Sequence, residues 1–274
     1  MVEKALFIFG LGFASQALAR AAMAQGFRVA GTCRTAKKCA DLKAQGIEAV
    51  EFDKVTPEIL ADSSYILSSI PPQENGDIVL PLLPQINHWL GYFSTTGVYG
   101  DYGGQWVDEQ SELRPNNDRL HRRVEAEEQW RALGGQVFRL AGIYGKGRSA
   151  LDDVQAGRAR RIDKEGQVFS RIHIEDIAQT VLASMAKPNP SAIYNVCDNE
   201  PAPAHEVVAF ACELLGEALP PLIPFAQAEL SAMGREFYSA NRRVKNQRIK
   251  QELGINFLYP TYREGLQRAA KDIC

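Results

Sequence analysis

The chain has 274 residues, enough for one large α/β domain or for one domain with a smaller lobe. Its composition (45% hydrophobic, 23% charged, net charge −2) is that of an ordinary globular protein. That balance excludes a general affinity for nucleic acid, which shows as a strongly basic domain, and no apolar run approaches the ~20 residues of a membrane span.

Taken in order, the first half alternates apolar runs with helical patterns. Ala5–Phe9 is a short apolar run, followed by Ala, Leu and Met at helical spacing over Ser15–Gln25. Phe27–Thr32 is a second run, a Lys-rich helix is expected over Thr35–Gln45, and Ile47–Phe52 is a third. Tyr65–Ile70 and Trp89–Ser94 continue the series, Glu125–Leu133 reads as the end of a long helix, and Gln136–Ala141 is the next strand. Strands buried on both faces and separated by helices predict a Rossmann-type, doubly wound parallel sheet. After the turn-rich Gly142–Gly147 the composition changes: Gly157–Asp163 is very basic, and Phe169–Ala186 looks like a strand entering a helix. The expected organisation is a dinucleotide-binding domain over 1–147, to which 168–198 return, with a small C-terminal substrate lobe from 148–167 and 199–274.

The five cysteines, Cys33, Cys39, Cys197, Cys212 and Cys274, are odd in number and lack metal-ligand spacing. They read as free thiols of a reducing cytoplasm, and the N-terminus shows no cleavable signal pattern. His88, His121, His173 and His205 form no paired arrangement, so no metal is expected.

The sharpest local signal is Gly10-Leu11-Gly12-Phe13-Ala14-Ser15, directly after the first strand and before a helix. Gly10 permits a tight turn, Gly12 lets the backbone approach a pyrophosphate, and Phe13, Ala14 and Ser15 open a helix whose free N–H groups and dipole favour an anion. Ser15 stands where a third glycine would, small enough for close helix–strand packing. The end of the second strand, Thr32-Cys33-Arg34-Thr35, carries Arg34 and then Lys38, with no acid until Asp41. An acid there would hold the ribose hydroxyls of NAD, whereas an arginine accommodates the NADP phosphate, so NADP is expected ahead of NAD. Asp53, closing the third run, is placed to accept from an adenine amino group or to cap a helix. Pro71 and Pro72 stop the fourth strand where a ligand crevice opens, and Ser69, Ile70 and Pro71 are counted as cofactor contacts.

Several further segments resemble the extended short-chain dehydrogenases/reductases called NAD-dependent epimerase/dehydratases. They are Phe93-Ser94-Thr95-Thr96-Gly97-Val98-Tyr99-Gly100, Arg139-Leu140-Ala141-Gly142-Ile143-Tyr144-Gly145, Arg171-Ile172-His173-Ile174-Glu175-Asp176-Ile177-Ala178 and Tyr194-Asn195-Val196. The runs at 69–72, 100–109 and 259–266 narrow the likeness to a bacterial YeeZ-like branch. The resemblance implies a Ser/Thr that orients substrate, here Thr95, and a Tyr-x-x-x-Lys pair about 25 residues later, with a Glu four residues beyond the Lys. Glu127 fits the Glu, which puts Arg123 at the Lys and Arg119 at the Tyr. Arg123 is expected to reach the nicotinamide ribose as the Lys does, but the guanidinium of Arg119 does not deprotonate and cannot serve as the proton donor. Tyr99 and Tyr102 are the candidate substitutes, although Tyr99 also matches a family position that packs or touches substrate, and Arg119 is alternatively an electrostatic group. Thr96, Tyr144, Arg148 and Arg158 are expected to contact substrate; the resemblance implies that Arg148, Arg158 and the neighbouring Arg160 and Arg161 lie where family members bind anionic nucleotide sugars, and with the basic tail Asn241-Arg242-Arg243-Val244-Lys245 they tilt the substrate toward an anionic, nucleotide-sugar-like small molecule with a reacting carbonyl or hydroxyl. These readings predict a cytoplasmic NADP-dependent oxidoreductase or epimerase with a modified active site, and the resemblance implies a homodimer through the helix at 119–130. The rivals are a dinucleotide-binding sensor that has lost its chemistry and a structural oligomerisation scaffold.

Overall fold

The computed structural model describes residues 4–84 and 88–271, so the thiol expected at Cys274 lies outside the described residues. The apolar runs of the first half become strands and the patterns between them helices: β1 (Ala5–Phe9), α1 (Phe13–Ala24), β2 (Arg28–Cys33), α2 (Ala36–Lys43), β3 (Glu48–Glu51), α3 (Pro57–Ala61), β4 (Tyr65–Ser68) and β5 (Trp89–Thr95). Then come β6 (Trp106–Val107), α4 (Asp118–Ala132), β7 (Gln136–Leu140), β8 (Gly142–Tyr144), α5 (Ala150–Gln155), β9 (Arg161–Asp163), β10 (Arg171–His173), α6 (Ile174–Ala186) and β11 (Ile193–Val196). The last elements are α7 (Ala204–Leu215), β12 (Leu222–Pro224), α8 (Ala232–Phe237), β13 (Arg243–Val244), α9 (Gln247–Leu253) and α10 (Tyr262–Ala270).

Seven strands form one parallel sheet in the order β11-β7-β5-β4-β1-β2-β3. The order runs outward in both directions from the β1–β4 pair, and in such sheets ligands sit beyond the carboxyl ends at this switch point. One face is covered by α1 and α6, which pack against each other and carry small buried residues such as Ala17, Ala19 and Ala178. On the other, Ala126 and Trp130 of α4 pack with Phe7, Phe9, Tyr92 and Val137. Trp130 stacks on Tyr92 with ring centres 5.6 Å apart, and its indole N–H donates to Asp77 over 2.8 Å. Asn117 caps α4 by accepting from the Leu120 N–H, so the long helix begins directly after the polar loop that follows β6.

Short parallel ladders join the rest: β8 with β10, β9 with β12, and β6 with β13. Helices α5, α7 and α10 share a separate core around Tyr144, Leu151, Ala211, Tyr262 and Leu266. The stretch from Val244 to Phe257 does not stay with that core; Val244, Ile249, Leu253, Ile255 and Phe257 return to the main one. No helix among the described residues is long and apolar enough to cross a membrane.

One expectation is corrected here. Cys33 and Cys39 are a disulfide, not free thiols. They lie six apart in sequence, a spacing that names no motif, but the end of β2 and the first turn of α2 bring their Cα atoms to 5.8 Å, inside the range a disulfide spans. Cys197 and Cys212 are buried and free.

Candidate functional site

The turn after β1 is fixed by its own polar groups. Gly10 has φ +87°, and a Cβ there would stand 2.9 Å from both Ile70 Cγ1 and Ser69 Oγ, so only glycine fits. Its N–H donates to Thr32 Oγ1 (2.8 Å), Leu11 N–H to Thr32 O (2.8 Å), and Ser69 Oγ to Gly10 O (2.6 Å). The ends of β1, β2 and β4 are thereby locked together. The first intrahelical bond of α1 is from Gln16 N–H to Gly12 O, and no side chain caps the N–H groups of Phe13, Ala14 and Ser15 that precede it. A Cβ on Gly12 would meet nothing within 4 Å, so the space before the helix end is open. These features fit a dinucleotide pyrophosphate. Ser15 is fully buried and packs beneath the turn as a small residue.

At the edge of the turn, Arg34 is exposed beyond β2 and pairs with no acid among the described residues. Thr35 caps α2 through the Lys38 N–H (3.2 Å), which holds Arg34 and Lys38 at one corner. Asp53 is exposed in a short 3-10 turn after β3, with Phe52 and Lys54. Pro71 is exposed past the end of β4.

Beyond β5 lies a cleft of about 410 Å³ whose lining includes Thr95, Thr96, Arg119 and Arg123. Thr95 Oγ1 accepts from the Gly97 N–H (3.1 Å), so its own proton is available to donate into the cleft. Arg123 donates through one terminal nitrogen to Tyr92 Oη (2.9 Å) and Phe93 O (2.7 Å), fastening α4 to β5. Arg119 is largely exposed and ion-paired with Glu236 of α8 at 3.1 Å, and Asn117 Nδ2 donates to the same carboxylate oxygen at 2.8 Å. Glu236, Phe169 and Phe237 had no signal in the sequence. Glu236 and Phe237 reach the cleft from α8 and Phe169 from the segment before β10, with Phe169 and Phe237 stacked at 4.3 Å.

Arg242, read in the sequence only as part of a basic tail, is in the wall. The β6–β13 ladder puts it there, helped by the N–H groups of Tyr102 and Gly104 donating to Asn241 O (3.0 Å each) and by Asp101 accepting from Asn241 N–H (2.8 Å). Gly100 has φ +67°, and a Cβ on it would collide with the Arg114 carbonyl; its own carbonyl accepts from Arg242 at 2.8 Å. Burial lowers the pKa of Arg242 to about 10 despite the nearby charge of Asp101.

Five predicted residues stand elsewhere. Tyr99 is fully buried, its hydroxyl donating to Asn195 Oδ1 (2.8 Å) and accepting from Arg139 (2.9 Å), and burial pushes its pKa up to about 12. It faces the core, not the cleft, and cannot act as the acid/base. It belongs to a buried network in which Arg139 grips both carboxylate oxygens of Glu127 (2.7–3.1 Å) and Ser94 donates to Glu127 at 2.5 Å. The other tyrosine, Tyr102, spends its hydroxyl on Glu112 O (2.9 Å). Tyr144 and Arg158 line a different cavity of about 340 Å³ between α5, α7 and α10, where Arg158 pairs with Asp153 at 3.1 Å. Arg148 lies over the Phe13 ring (5.6 Å), beside the phosphate turn, presented by a tight Gly145–Arg148 turn. Among the described residues no cluster of three His, Cys, Asp or Glu side chains is arranged to hold a metal.

A seven-stranded parallel sheet with this glycine turn at its switch point and a threonine-bearing β5 end defines the fold of the NAD-dependent epimerase/dehydratases. A solved dTDP-glucose 4,6-dehydratase from Bacillus anthracis, in complex with NAD, has that fold: TM-score 0.77, 17% identity, 98% of this chain and 96% of that one covered. Within it the chain belongs to the family of a functionally unknown conserved protein from Silicibacter pomeroyi, with 46% identity, TM-score 0.91, and 98% and 99% of the two chains covered. It is also 26% identical over 287 residues to Protein YeeZ of Escherichia coli, covering 94% and 97% of the two, and the YeeZ-like resemblance read from the sequence holds. No family model matches the chain.

Proposed function

We propose that this protein is an NAD(P)-binding oxidoreductase of the epimerase/dehydratase kind, acting on a carbonyl or hydroxyl carbon of a small anionic molecule without a Tyr-x-x-x-Lys pair. The observation that carries the reading is one cleft holding Thr95, Arg119 and Arg123 at the same sheet edge as the phosphate turn. The cofactor supplies or accepts a hydride at the nicotinamide ring. Gly10, Gly12 and the first N–H groups of α1 hold its pyrophosphate, Arg34 and Lys38 take the 2′-phosphate that favours NADP over NAD, and Ser69 and Ile70 close the turn beneath it. Thr95 Oγ donates to the substrate oxygen and fixes its orientation, while Arg119 stabilises negative charge developing there. With no tyrosine among the described residues that line the cleft, the proton at that oxygen exchanges with solvent along the exposed side of Arg119. We take a homodimer through α4 and a cytoplasmic location as parts of the same reading; buried free Cys197 and Cys212 suit that location, and the Cys33–Cys39 disulfide does not.

The missing tyrosine and the Arg119–Glu236 pair across the cleft favour one rival, a dinucleotide sensor without turnover. Purified protein with NADPH is assayed against sugars, ketones and aldehydes, alongside Arg119→Ala. The expected result is NADPH oxidation with at least one carbonyl class and a loss of ~10²-fold in the variant. No oxidation anywhere, with dinucleotide binding intact in both proteins, would leave the sensor.

A further inference from the structure

We propose that Cys33 and Cys39 form a thiol–disulfide switch on the cofactor site: the oxidised pair holds the corner from Arg34 to Lys38 ready for the 2′-phosphate of NADPH, and the dithiol releases it. The inference rests on the dinucleotide reading of the β1 turn and adds a control that this reading does not require.

The bond closes around the corner itself. Arg34, Thr35, Ala36, Lys37 and Lys38 lie between the two cysteines, so the residues assigned to the 2′-phosphate are the ones the ring encloses. Cys33 ends β2, in register with Glu51 of β3, and is fixed by the sheet, whereas Cys39 sits in a surface helix. Of the eight residues of α2 only Cys39 and Leu42 are buried. Its first turn holds Lys37 and Lys38 and no acid, and cations at a helix N-terminus oppose the dipole. Arg34 adds a third positive charge just before it. So short a helix is marginal on its own. Against this repulsion the first turn has the Thr35 cap, bonded to the Lys38 N–H at 3.2 Å, and the tether to Cys33. With the tether cut, a phosphate must order the corner as it binds, which weakens binding. NADH brings no phosphate there and is little affected.

The switch works by exchange with a dithiol. A thiolate of the reductant attacks one protein sulfur, the Cys33–Cys39 bond breaks and a mixed disulfide forms. The second thiol then resolves it, so the reductant leaves as its own disulfide and two electrons and two protons pass to Cys33 and Cys39. Both cysteines are buried, so exchange requires the first turn of α2 to fray, and a bound phosphate opposes fraying. On reduction, Thr35 O and Val50 O, each 3.5 Å from Cys33 Sγ, accept from its thiol, so the strand end keeps its place in both states. In a reducing compartment the disulfides that occur are mostly transient or redox-sensing, which reconciles this bond with the cytoplasmic reading.

The test titrates NADPH and NADH, followed by nicotinamide fluorescence, into the oxidised full chain, the same protein held in dithiothreitol, and the Cys33→Ser/Cys39→Ser double variant. Thiol titration of the denatured protein reports the redox state, reduction adding the two thiols of this pair. NADPH affinity falls roughly tenfold on reduction, the worth of a charge-assisted contact. NADH affinity stays nearly unchanged, and the double variant behaves as the reduced protein. Linkage requires the reverse effect: saturating NADPH makes the disulfide harder to reduce by the same factor, about 30 mV per tenfold for a two-electron couple, and NADH does not. Should the double variant fail to fold, reduced wild type and this shift still decide. Equal NADPH affinity in the oxidised and reduced protein overturns the switch and leaves the dinucleotide reading standing. So does an equal loss for NADPH and NADH, or a bond that dithiothreitol opens only after denaturation. No binding of either nucleotide to the oxidised protein overturns both.

Discussion

At the scale of single residues, the consequential pair is Glu127 and Arg139, both about 2% exposed and joined through both carboxylate oxygens. Removing one partner of such a pair leaves an uncompensated buried charge, which costs about 3–5 kcal/mol. Glu127→Ala should lower the free energy of unfolding by that amount, seen as a lower denaturant midpoint with an unchanged slope, and an effect under about 1 kcal/mol would show the network to be dispensable. The position of Glu127 could be read from its spacing, because motif spacing survives folding. Its partner could not, since Arg139 meets it only when β7 lies beside β5 and beneath α4. Tyr99 was misread for a related reason. A tyrosine just past a strand end can face the crevice or the core, and only Asn195 on the distant β11 decides which.

Among elements, the junction of β10 and α6 carries a titration. His173 is the N-cap of α6, its Nδ1 accepting from the Glu175 N–H at 3.3 Å, and accepting requires the neutral ring. Burial lowers its pKa to about 4, against an unfolded value near 6.5. The unfolded chain therefore binds the proton first, so stability that is full above pH 6.5 is lost as pH falls toward 4, by about 3 kcal/mol for this group. Asp176, one turn on, is raised by burial to about 6 despite accepting from Leu258 and Tyr259, and so contributes the opposite slope between about pH 4 and 6. The comparison must thus be between proteins: wild type should lose more stability than His173→Asn between pH 7 and pH 4.5 by calorimetry, whereas parallel curves would remove the histidine from the account. The elements themselves were legible because buried parallel strands are continuous apolar runs. The two-residue ladder of β6 with β13 was not, having no period of its own and pairing residues more than 130 apart.

For the whole molecule, the switch point of the sheet gathers what the sequence held apart. The glycine turn and Arg34 are local to the first β–α–β unit and could be read directly. The cleft wall is not, because Glu236, Phe237 and Arg242 arrive from segments that composition marks only as polar or basic, and Phe169 from a predicted strand whose distant partner has no local signal. The central claim is that the β1 turn holds a nicotinamide dinucleotide, with Arg34 on its 2′-phosphate. It is tested most directly by titrating NADPH and NADH into wild type and Arg34→Ala while following nicotinamide fluorescence. The account predicts that wild type binds both and prefers NADPH, and that Arg34→Ala loses roughly tenfold or more toward NADPH, the worth of a charge-assisted contact, with NADH nearly unchanged. Equal losses for the two would contradict the phosphate role, and no binding of either by wild type would contradict the dinucleotide site itself.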